Sequence, residues 1–176
     1  MRIISGYLGG RIIKSPRGLD KHLRPTTDKA RESLFNILSH RMNLEGLQCI
    51  DLFCGTGSLG LECISRGASR CTFVDTYTQL VYENIKSLNL NDKCEIIKDE
   101  VFRFLQKNKQ HYHLGFADPP YHFQHYKELI SLAAIYIDFF ILEHNLPIIE
   151  LSIYEDKIVM QRIIGKSRFT FINFKE

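Results

Sequence analysis

The chain has 176 residues, a net charge of +3 and 44% hydrophobic residues, which are ordinary values for one globular domain with a single core. No apolar run reaches the about 20 residues that a membrane span requires, and the first residues do not form a secretory leader. Five cysteines without Cys-x-x-Cys spacing favour free thiols in a reducing cytoplasm over a disulfide framework or a zinc site. We therefore expect a cytoplasmic protein without a bound metal.

Positive charge is concentrated near the N-terminus. Residues 1–31 contain eight lysines and arginines against two aspartates, a charge of +6, whereas the remainder carries −3. A basic segment on a mildly acidic body favours a polyanionic partner such as nucleic acid. The alternative is a solvated hairpin with ordinary surface lysines, and charge alone favours nucleic acid only slightly.

The N-terminal region is predicted to form a β-hairpin followed by a helix. Short strands are expected at residues 2–5 and 11–15, because Gly6, Gly9 and Gly10 permit the positive φ angles of a tight turn. A helix at 26–42 would begin with N-cap oxygens from Thr26, Thr27 and Asp28. Apolar residues recur at helical spacing along it, namely Ala30, Leu34, Phe35, Leu38 and Met42. Lys29, Arg31 and Arg41 lie off this apolar stripe.

From residue 48 onward, apolar strands alternate with helices. Strands are expected at 49–53, 71–75, 94–98, 114–117 and 139–143, and helices at 59–66, 79–88, 101–107 and 126–136. Such alternation predicts an α/β fold with a parallel sheet covered on both faces. Residues 157–164 and 168–174 are typical of an antiparallel hairpin.

The prediction is a mostly parallel, seven-stranded sheet with an antiparallel edge hairpin, plus the N-terminal β-hairpin and helix. The predicted organisation is a basic arm at 1–25 and one larger domain at 26–176. That domain would contain the helix at 26–42, a ligand-binding core at 48–143 and the hairpin at 157–174.

A glycine-rich loop follows the first strand of the core. The sequence Cys54-Gly55-Thr56-Gly57-Ser58-Leu59-Gly60 is a Gly-x-Gly-x-x-Gly motif between a strand and a helix. Its glycines allow a tight turn and a close approach of the backbone to a ligand, and the helix N-terminus favours an anionic group. The motif therefore predicts a nucleotide-type cofactor, either NAD or S-adenosylmethionine.

Acidic residues at the strand ends help to separate these two cofactors. Asp75 closes the second strand, where a carboxylate accepts the hydroxyls of a ribose in either cofactor. Asp51 lies in the first strand, where it would repel a pyrophosphate but support a cationic sulfonium and amino group. Asp99 and Glu100 end the third strand, and one of them is expected to contact the adenine amino group. This pattern favours S-adenosylmethionine.

The tetrapeptide Asp118-Pro119-Pro120-Tyr121 follows the fourth strand. Two prolines cannot continue a central strand, because neither has an N–H to donate. The chain must leave the sheet in a stiff loop at the edge where ligands bind. Asp118 and the Pro119 carbonyl are able to accept hydrogen bonds from an exocyclic amine, and Tyr121 offers a ring on which a base stacks. A strand-terminating turn is the alternative for the tetrapeptide alone.

These residues resemble class I S-adenosylmethionine-dependent amino-methyltransferases, whose hallmark is (D/N/S)-P-P-(Y/F/W). The chain is more closely similar to the RsmD family of bacterial guanine-N2 methyltransferases, which act on small-subunit ribosomal RNA. The similarity lies in residues 1–6, 10–11, 23–38, 51–62, 65–68 and 118–121. Residues 24–38 are its most specific part.

The resemblance implies a Rossmann-like class I methyltransferase fold, with S-adenosylmethionine as methyl donor and S-adenosylhomocysteine as product. It also implies a guanine of 16S rRNA as the methyl acceptor, in RNA that already carries ribosomal proteins, and a monomeric enzyme. Two positions depart from the family pattern. Asp75 stands where Glu is usual, and Glu100 stands where Asp is usual, which favours Glu100 over Asp99 as the adenine contact.

Three groups of site residues follow from the motifs and the resemblance. The catalytic residues are Asp118, Pro119, Pro120 and Tyr121; the cofactor-binding residues are Asp51, Phe53, Cys54, Gly55, Thr56, Gly57, Asp75, Asp99, Glu100, Val101 and Asp118; and the RNA-binding residues are Arg2, Arg11, Lys14, Arg17, Arg24, Thr26 and Thr27.

Three other functions compete with this interpretation. An amino-methyltransferase acting on adenine N6 or on a protein glutamine amide would use the same tetrapeptide. An NAD-dependent oxidoreductase would have no role for Asp51 or for residues 118–121. A non-catalytic RNA-binding protein on the same fold would tolerate loss of the tetrapeptide, which is intact here.

Overall fold

The computed structural model describes residues 1–16, 27–144, 154–165 and 167–175. Its elements are α1 (Asp28–Ser39), β1 (Gln48–Leu52), α2 (Ser58–Ser65), β2 (Arg70–Asp75), α3 (Gln79–Leu88), β3 (Cys94–Lys98), α4 (Val101–Lys107), β4 (Tyr112–Ala117), α5 (Tyr126–Tyr136), β5 (Ile137–His144), a short 3₁₀ helix (Glu155–Lys157), β6 (Ile158–Ile164) and β7 (Ser167–Asn173). No helix in these ranges is both long enough and apolar enough to cross a membrane.

The seven strands form one sheet in the order β3-β2-β1-β4-β5-β7-β6. Strands β1 to β5 are parallel, and β7 runs antiparallel to both β5 and β6. The predicted mixed sheet is therefore confirmed. The strand order reverses between β1 and β4, so the carboxyl ends of these two strands flank the crevice in which ligands of open α/β sheets bind.

The central strands are buried on both faces, as a helix-covered parallel sheet requires. One face packs Phe73, Phe116 and Ile141 beneath α1, α2 and α3, and the other packs residues such as Leu129 and Phe140 with α4 and α5. The two packed faces hold the strand ends in place, and the candidate site residues lie at those ends.

Helix α1 is shorter than its sequence pattern predicts. Thr27 is its N-cap, and its Oγ1 accepts the backbone N–H of Ala30 at 3.2 Å. The helix ends at Ser39 rather than at residue 42. Thr26 and the boundary between the arm and the larger domain lie outside the described residues.

The predicted N-terminal hairpin is present as a short antiparallel pairing. Arg2 and Ile12 form a bridge, the Ile3 N–H donates to the Arg11 carbonyl oxygen at 2.9 Å, and the Ile13 N–H donates to the Met1 carbonyl oxygen at 3.1 Å. The N–H groups of Ile4 and Ser5 bond to the Glu62 carboxylate of α2, at 2.7 and 3.0 Å, instead of joining a ladder. Gly6 lies so close to α2 that a Cβ would fall 1.8 Å from the Ser65 carbonyl oxygen. The segment therefore packs closely against α2 and does not form two independent strands.

Arg31 lies off the apolar stripe of α1, yet it is fully buried. Its Nη2 donates to the Arg2 carbonyl oxygen and to the Asp28 carboxylate, both at 2.6 Å, and its Nη1 lies 3.9 Å from Glu62. The N-terminal segment covers this side of α1, which explains the burial. The charge of Arg31 is therefore paired inside the protein and is not part of a basic surface.

Candidate active site

The glycine loop turns sharply between β1 and α2. Phe53, Gly55 and Gly57 all have positive φ angles, of 57°, 51° and 76°. A Cβ on Gly57 would lie 2.6 Å from Val81 Cγ2, whereas a Cβ on Gly55 would meet no atom within 4 Å. Gly57 is thus required by packing against the protein, and Gly55 faces the open side of the loop, where a ligand has room to approach the backbone.

Asp51 is buried beneath this loop. Its Oδ2 accepts the backbone N–H of Gly60 at 2.9 Å, which ties the end of β1 to the first turn of α2. Burial raises the pKa of Asp51 from 3.8 to about 8, and the nearby Asp75 charge adds to the effect. A buried acid with this pKa is poised to respond to a positive charge placed beside it.

Asp75 lies across the loop at the end of β2. Its Oδ2 accepts the Gly55 N–H at 2.8 Å, and its Oδ1 accepts the Tyr77 N–H at 3.0 Å. The carboxylate is therefore oriented by two backbone donors and stands beside the open side of the glycine loop. Cys54 and Thr56 of the same loop are buried.

Asp99 and Glu100 both make local contacts where β3 leads into α4. The Asp99 carboxylate pairs with the Arg103 guanidinium, which lowers the pKa of Asp99. Glu100 is the N-cap of α4 and accepts the Arg103 backbone N–H at 3.0 Å. Val101 begins the helix and is buried. The two acids thus lie at the sheet edge where they were predicted, and the adenine contact remains a prediction for either.

The tetrapeptide leaves the sheet directly after β4. The Asp118 N–H reaches the Leu52 carbonyl oxygen at 3.5 Å, so the acid stands beside the end of β1. Pro119 is buried, and the Pro120 carbonyl oxygen accepts the Phe123 N–H at 2.8 Å in a tight turn. Tyr121 is 71% exposed. The loop therefore presents a fixed carboxylate and an exposed aromatic ring at the same edge.

A third carboxylate, Glu143, joins Asp51 and Asp118. Glu143 lies near the end of β5 and is only 9% exposed. Burial, together with the charges of Glu143 and Asp51, raises the pKa of Asp118 well above its usual range. Sequence reasoning missed Glu143 as a site residue, although an acid at the end of a fifth parallel strand is the same signal that identified the other four strand ends.

An aromatic cluster connects the glycine loop with the loop that follows the tetrapeptide. The Phe123 ring lies 5.5 Å from Phe53, 6.0 Å from Phe102 and 4.9 Å from Tyr126, measured between centroids. Phe123 follows the tetrapeptide by two residues, and Phe53 begins the glycine loop. Phe102, Phe123 and Tyr126 were not predicted as site residues from the sequence. Phe123 lies in a loop, and Phe102 and Tyr126 lie in the first turns of α4 and α5, where helical periodicity does not distinguish a site residue from a core residue.

Asn84 of α3 binds both the glycine loop and the N-terminal segment. Its fully buried side chain donates to the carbonyl oxygens of Thr56 and Lys14, at 2.9 and 3.1 Å, and accepts the Lys14 N–H at 2.7 Å. The segment is thereby fixed beside the glycine loop. The sequence offers no signal for this role, because an Asn within a helix is compatible with simple exposure.

The predicted RNA-binding residues of the N-terminal segment are partly engaged within the protein. The exposed side chains of Arg2 and Lys14 pair with Asp28 at 3.8 Å and Glu83 at 2.9 Å, and Arg11 donates to the Ser87 carbonyl oxygen at 3.4 Å. Thr27 caps α1. Arg17, Arg24 and Thr26 lie outside the described residues. These internal partners offset part of the positive charge of the segment, so less of that charge is available to bind RNA than the sequence suggests.

A cleft of about 180 Å³ lies at the other end of the site edge. It is lined by His144, Gln161, Arg162, Ile163 and Arg168, from the ends of β5 and the β6–β7 hairpin. The cleft does not include the glycine loop, so it is separate from the predicted cofactor site. The cleft lies beyond Glu143 along the edge formed by the carboxyl ends of the parallel strands, and its lining includes two arginines.

Comparison with known proteins identifies the family. The family model described as "Conserved hypothetical protein 95" matches residues 1–171. Over 138 residues, covering 75% of this chain and 69% of the relative, the chain is 36% identical to "Ribosomal RNA small subunit methyltransferase D" of Haemophilus influenzae. The chain belongs to the RsmD family. The resemblance recognised in the sequence is therefore confirmed.

Solved structures agree with membership of the RsmD family. The Escherichia coli protein yhhF superposes with a TM-score of 0.82 at 26% identity, over 98% of this chain and 97% of that chain. A Thermus thermophilus 16S rRNA N2 G1207 methyltransferase, in complex with AdoMet and guanosine, gives a TM-score of 0.67 at 19% identity, over 84% of this chain and 43% of that chain. The second likeness supports the fold alone, and the fold is a Rossmann-like methyltransferase fold.

Proposed function

We propose that this protein transfers a methyl group from S-adenosylmethionine to the exocyclic N2 amine of a guanine in 16S rRNA. The observation that carries the proposal is the position of Asp118, at a strand end beside the glycine loop and next to the buried Asp51. A hydrogen-bond acceptor for an amine and a site for a cationic methyl donor thus share one crevice. The curated relative named Ribosomal RNA small subunit methyltransferase D supplies the class of substrate.

The loop residues fit this cofactor. Asp75, already oriented by two backbone N–H groups, would hold the ribose hydroxyls, and the open side of Gly55 would take the amino-acid portion. Either Asp99 or Glu100 would contact the adenine amino group beside Val101. When bound, S-adenosylmethionine supplies an electrophilic methyl group on a cationic sulfur, and the buried Asp51 gives that charge a counterion.

The tetrapeptide would orient the amine. The Asp118 carboxylate and the Pro119 carbonyl oxygen would each accept one N–H of the amine, which directs the nitrogen lone pair toward the methyl group. The nitrogen gains positive charge as its bond to the methyl carbon forms. The raised pKa of Asp118 suits this residue to take the released proton afterwards. Tyr121, which is largely exposed, would stack on the base once the base has left its helix.

The competing functions are less well supported. An NAD-dependent oxidoreductase would have to place a pyrophosphate beside Asp51, and it gives no role to residues 118–121. A non-catalytic RNA-binding protein would not need the intact Asp118-Pro119 pair. Adenine N6 and glutamine amide acceptors remain compatible with the tetrapeptide itself, and the RsmD-family relatives favour ribosomal RNA over both.

The protein would bind RNA mainly through contacts with its phosphates. Arg2, Arg11 and Lys14 lie on the surface, and each would exchange an internal partner for a phosphate on binding. Arg17, Arg24, Thr26 and Thr27 complete the proposed contact set. We further propose that the enzyme works as a monomer on 16S rRNA within a small-subunit assembly intermediate or subunit.

One experiment tests the function directly. Small subunits and their naked RNA, from a strain lacking this protein, would be incubated with the enzyme and labelled S-adenosylmethionine, and the labelled nucleoside identified. We expect N2-methylguanosine in 16S rRNA. Labelled N6-methyladenosine, label in protein, or an unlabelled subunit would each reject the proposal.

A further inference from the structure

We propose that Glu143 reads the ring N1–H of the target guanine and so selects guanine over other bases that carry an exocyclic amine. The inference rests on the proposed function, which it deepens by assigning a specificity-determining residue to the same site. Strand register, burial and the hydrogen-bonding pattern of the base support it.

Strand register places Glu143 beside Asp118. Strands β4 and β5 are parallel, and Ala117 at the end of β4 pairs with Leu142. Asp118 and Glu143 are each one residue further along. Neighbouring strands lie about 4.8 Å apart, and paired residues point to the same face of a sheet, so the two carboxylates are neighbours across adjacent strand ends.

Asp51 lies on the same face of the sheet. Its strand partner is Phe116, which precedes Asp118 by two residues and itself pairs with Ile141, two residues before Glu143. Because side chains two residues apart share a face, Asp51, Asp118 and Glu143 follow one line across β1, β4 and β5. The line runs from the glycine loop toward the acceptor side, so Glu143 is the member furthest from the cofactor.

The surroundings of Glu143 restrict its carboxylate. On its other side, Glu143 pairs with Phe169 of β7, which is 1% exposed. Glu143 itself is 9% exposed. A strand-borne side chain that is packed in this way has few rotamers to choose from, and its hydrogen bonds are strengthened by the low local dielectric. Both properties are needed for a residue that discriminates between bases.

The chemistry of the bases decides which one fits. Guanine presents two adjacent donor groups, the ring N1–H and the N2 amine. Two adjacent carboxylates complement them: Asp118 takes the amine and Glu143 takes N1–H. In adenine the N6 amine is flanked by an unprotonated N1, and in a glutamine amide the amine is flanked by a carbonyl oxygen. Either acceptor would face the Glu143 carboxylate and be repelled.

The test uses a base that keeps the N2 amine but lacks N1–H. 2,6-Diaminopurine would be placed at the target position of 16S rRNA by ligation of a synthetic segment, and the RNA assembled with small-subunit proteins. We expect the wild-type enzyme to prefer guanine roughly 10- to 100-fold in kcat/KM, the usual size of discrimination by one base contact. Equal rates on the two bases would overturn the inference without requiring any variant.

Glu143→Gln isolates the contribution of this side chain. Its amide donates to the unprotonated N1 of 2,6-diaminopurine, so we expect the preference for guanine to fall toward unity or to reverse. Asp138→Asn, at the opposite end of β5 where Asp138 pairs with His111 and Lys175, is the matched control and should leave the preference unchanged.

The outcomes separate the inference from the function on which it rests. If wild-type enzyme forms N2-methylguanosine and Glu143→Gln keeps the wild-type preference, the role of Glu143 is rejected and the proposed function stands. If wild-type enzyme forms no N2-methylguanosine, the proposed function fails first. Unchanged cofactor affinity in Glu143→Gln would exclude a general disruption of the site.

Discussion

The side chain of Asn84 donates from Nδ2 to the carbonyl oxygen of Thr56 at 2.9 Å, within the glycine loop. The same side chain pairs with both backbone groups of Lys14. One buried amide thus joins the N-terminal segment to the proposed cofactor site, which makes the segment a structural support for that site as well as a candidate RNA contact.

We predict that Asn84→Ala destabilises the protein and weakens cofactor binding together. The substitution leaves three backbone groups without their buried partner, at a cost of about 1–3 kcal/mol for each group left unsatisfied. Denaturant unfolding would measure the stability, and isothermal titration calorimetry the affinity for S-adenosylmethionine. Lys86→Ala, on the exposed side of the same helix, is the control. Wild-type affinity in a folded Asn84→Ala protein would show that the loop does not depend on this bond.

The main contact of Asp118 is predicted to be with the acceptor amine, and its contact with the cofactor is predicted to be minor. Asp118→Ala should abolish methyl transfer, because the amine loses its acceptor, while the affinity for S-adenosylmethionine stays within roughly tenfold of wild type. Single-turnover rates and calorimetric titration would measure the two quantities. A comparable loss of affinity for S-adenosylmethionine would show that Asp118 contacts mainly the cofactor.

The pKa of Asp51 predicts a pH dependence of stability. Burial raises this pKa from 3.8 to about 8, so the folded protein keeps a proton that the unfolded chain releases at much lower pH. The corresponding stability is fully present at about pH 4, near the unfolded value, and is lost as the pH rises toward 8. Urea unfolding between pH 5 and 9 would measure the slope. In Asp51→Asn this part of the slope should disappear.

The same residue predicts proton release on cofactor binding. A cationic ligand favours the ionised carboxylate, so we expect S-adenosylmethionine to bind more tightly as the pH rises from about 6 to 8. Calorimetry in buffers of different ionisation enthalpy would count the protons released. S-adenosylhomocysteine, which lacks the sulfonium charge, is the matched ligand and should release fewer. If both ligands release the same number of protons, Asp51 is not the counterion of the sulfonium.

The basic N-terminal segment is predicted to contact phosphates. The double variant Arg11→Glu, Lys14→Glu should weaken RNA binding and flatten its salt dependence, with a slope that falls by about 0.7–0.9 for each phosphate that is no longer neutralised. The internal partners of both residues should make the effect smaller than their charges alone imply. Arg70→Glu, an exposed arginine at the amino end of β2, controls for net charge. An unchanged slope of the salt dependence would show that other residues contact the RNA phosphates.

Local sequence patterns were sufficient for much of the fold. The bounds of α3, α4 and α5 and of β3 agree with the prediction, because each has a clear apolar period and recognisable ends. The strand-end acids Asp51, Asp75, Asp99 and Asp118 were also found in this way, since parallel strands bring their carboxyl ends together.

Tertiary contacts explain what the sequence did not predict. Residues 2–15 have the composition of a hairpin, but the N–H groups of Ile4, Ser5 and Lys14 bond to the side chains of Glu62 and Asn84, which are distant in the chain. Arg31 was misplaced for the same reason, because its burial depends on partners contributed by three separate segments. Glu143 carries the same strand-end signal as the other four acids, but no motif follows it, and the sequence does not show that its strand lies beside the one that ends at Asp118.

The hydrogen bonds between the N-terminal segment and helices α2 and α3 also determine when the segment can dock during synthesis of the chain. The segment leaves the ribosome before its partners Glu62 and Asn84, which follow about sixty and seventy residues later in the chain. Until then its polar backbone and cationic side chains have only water and nearby polyanions as partners. Docking of the segment therefore requires contacts of long sequence separation, which slow folding, and it cannot precede the synthesis of α2 and α3.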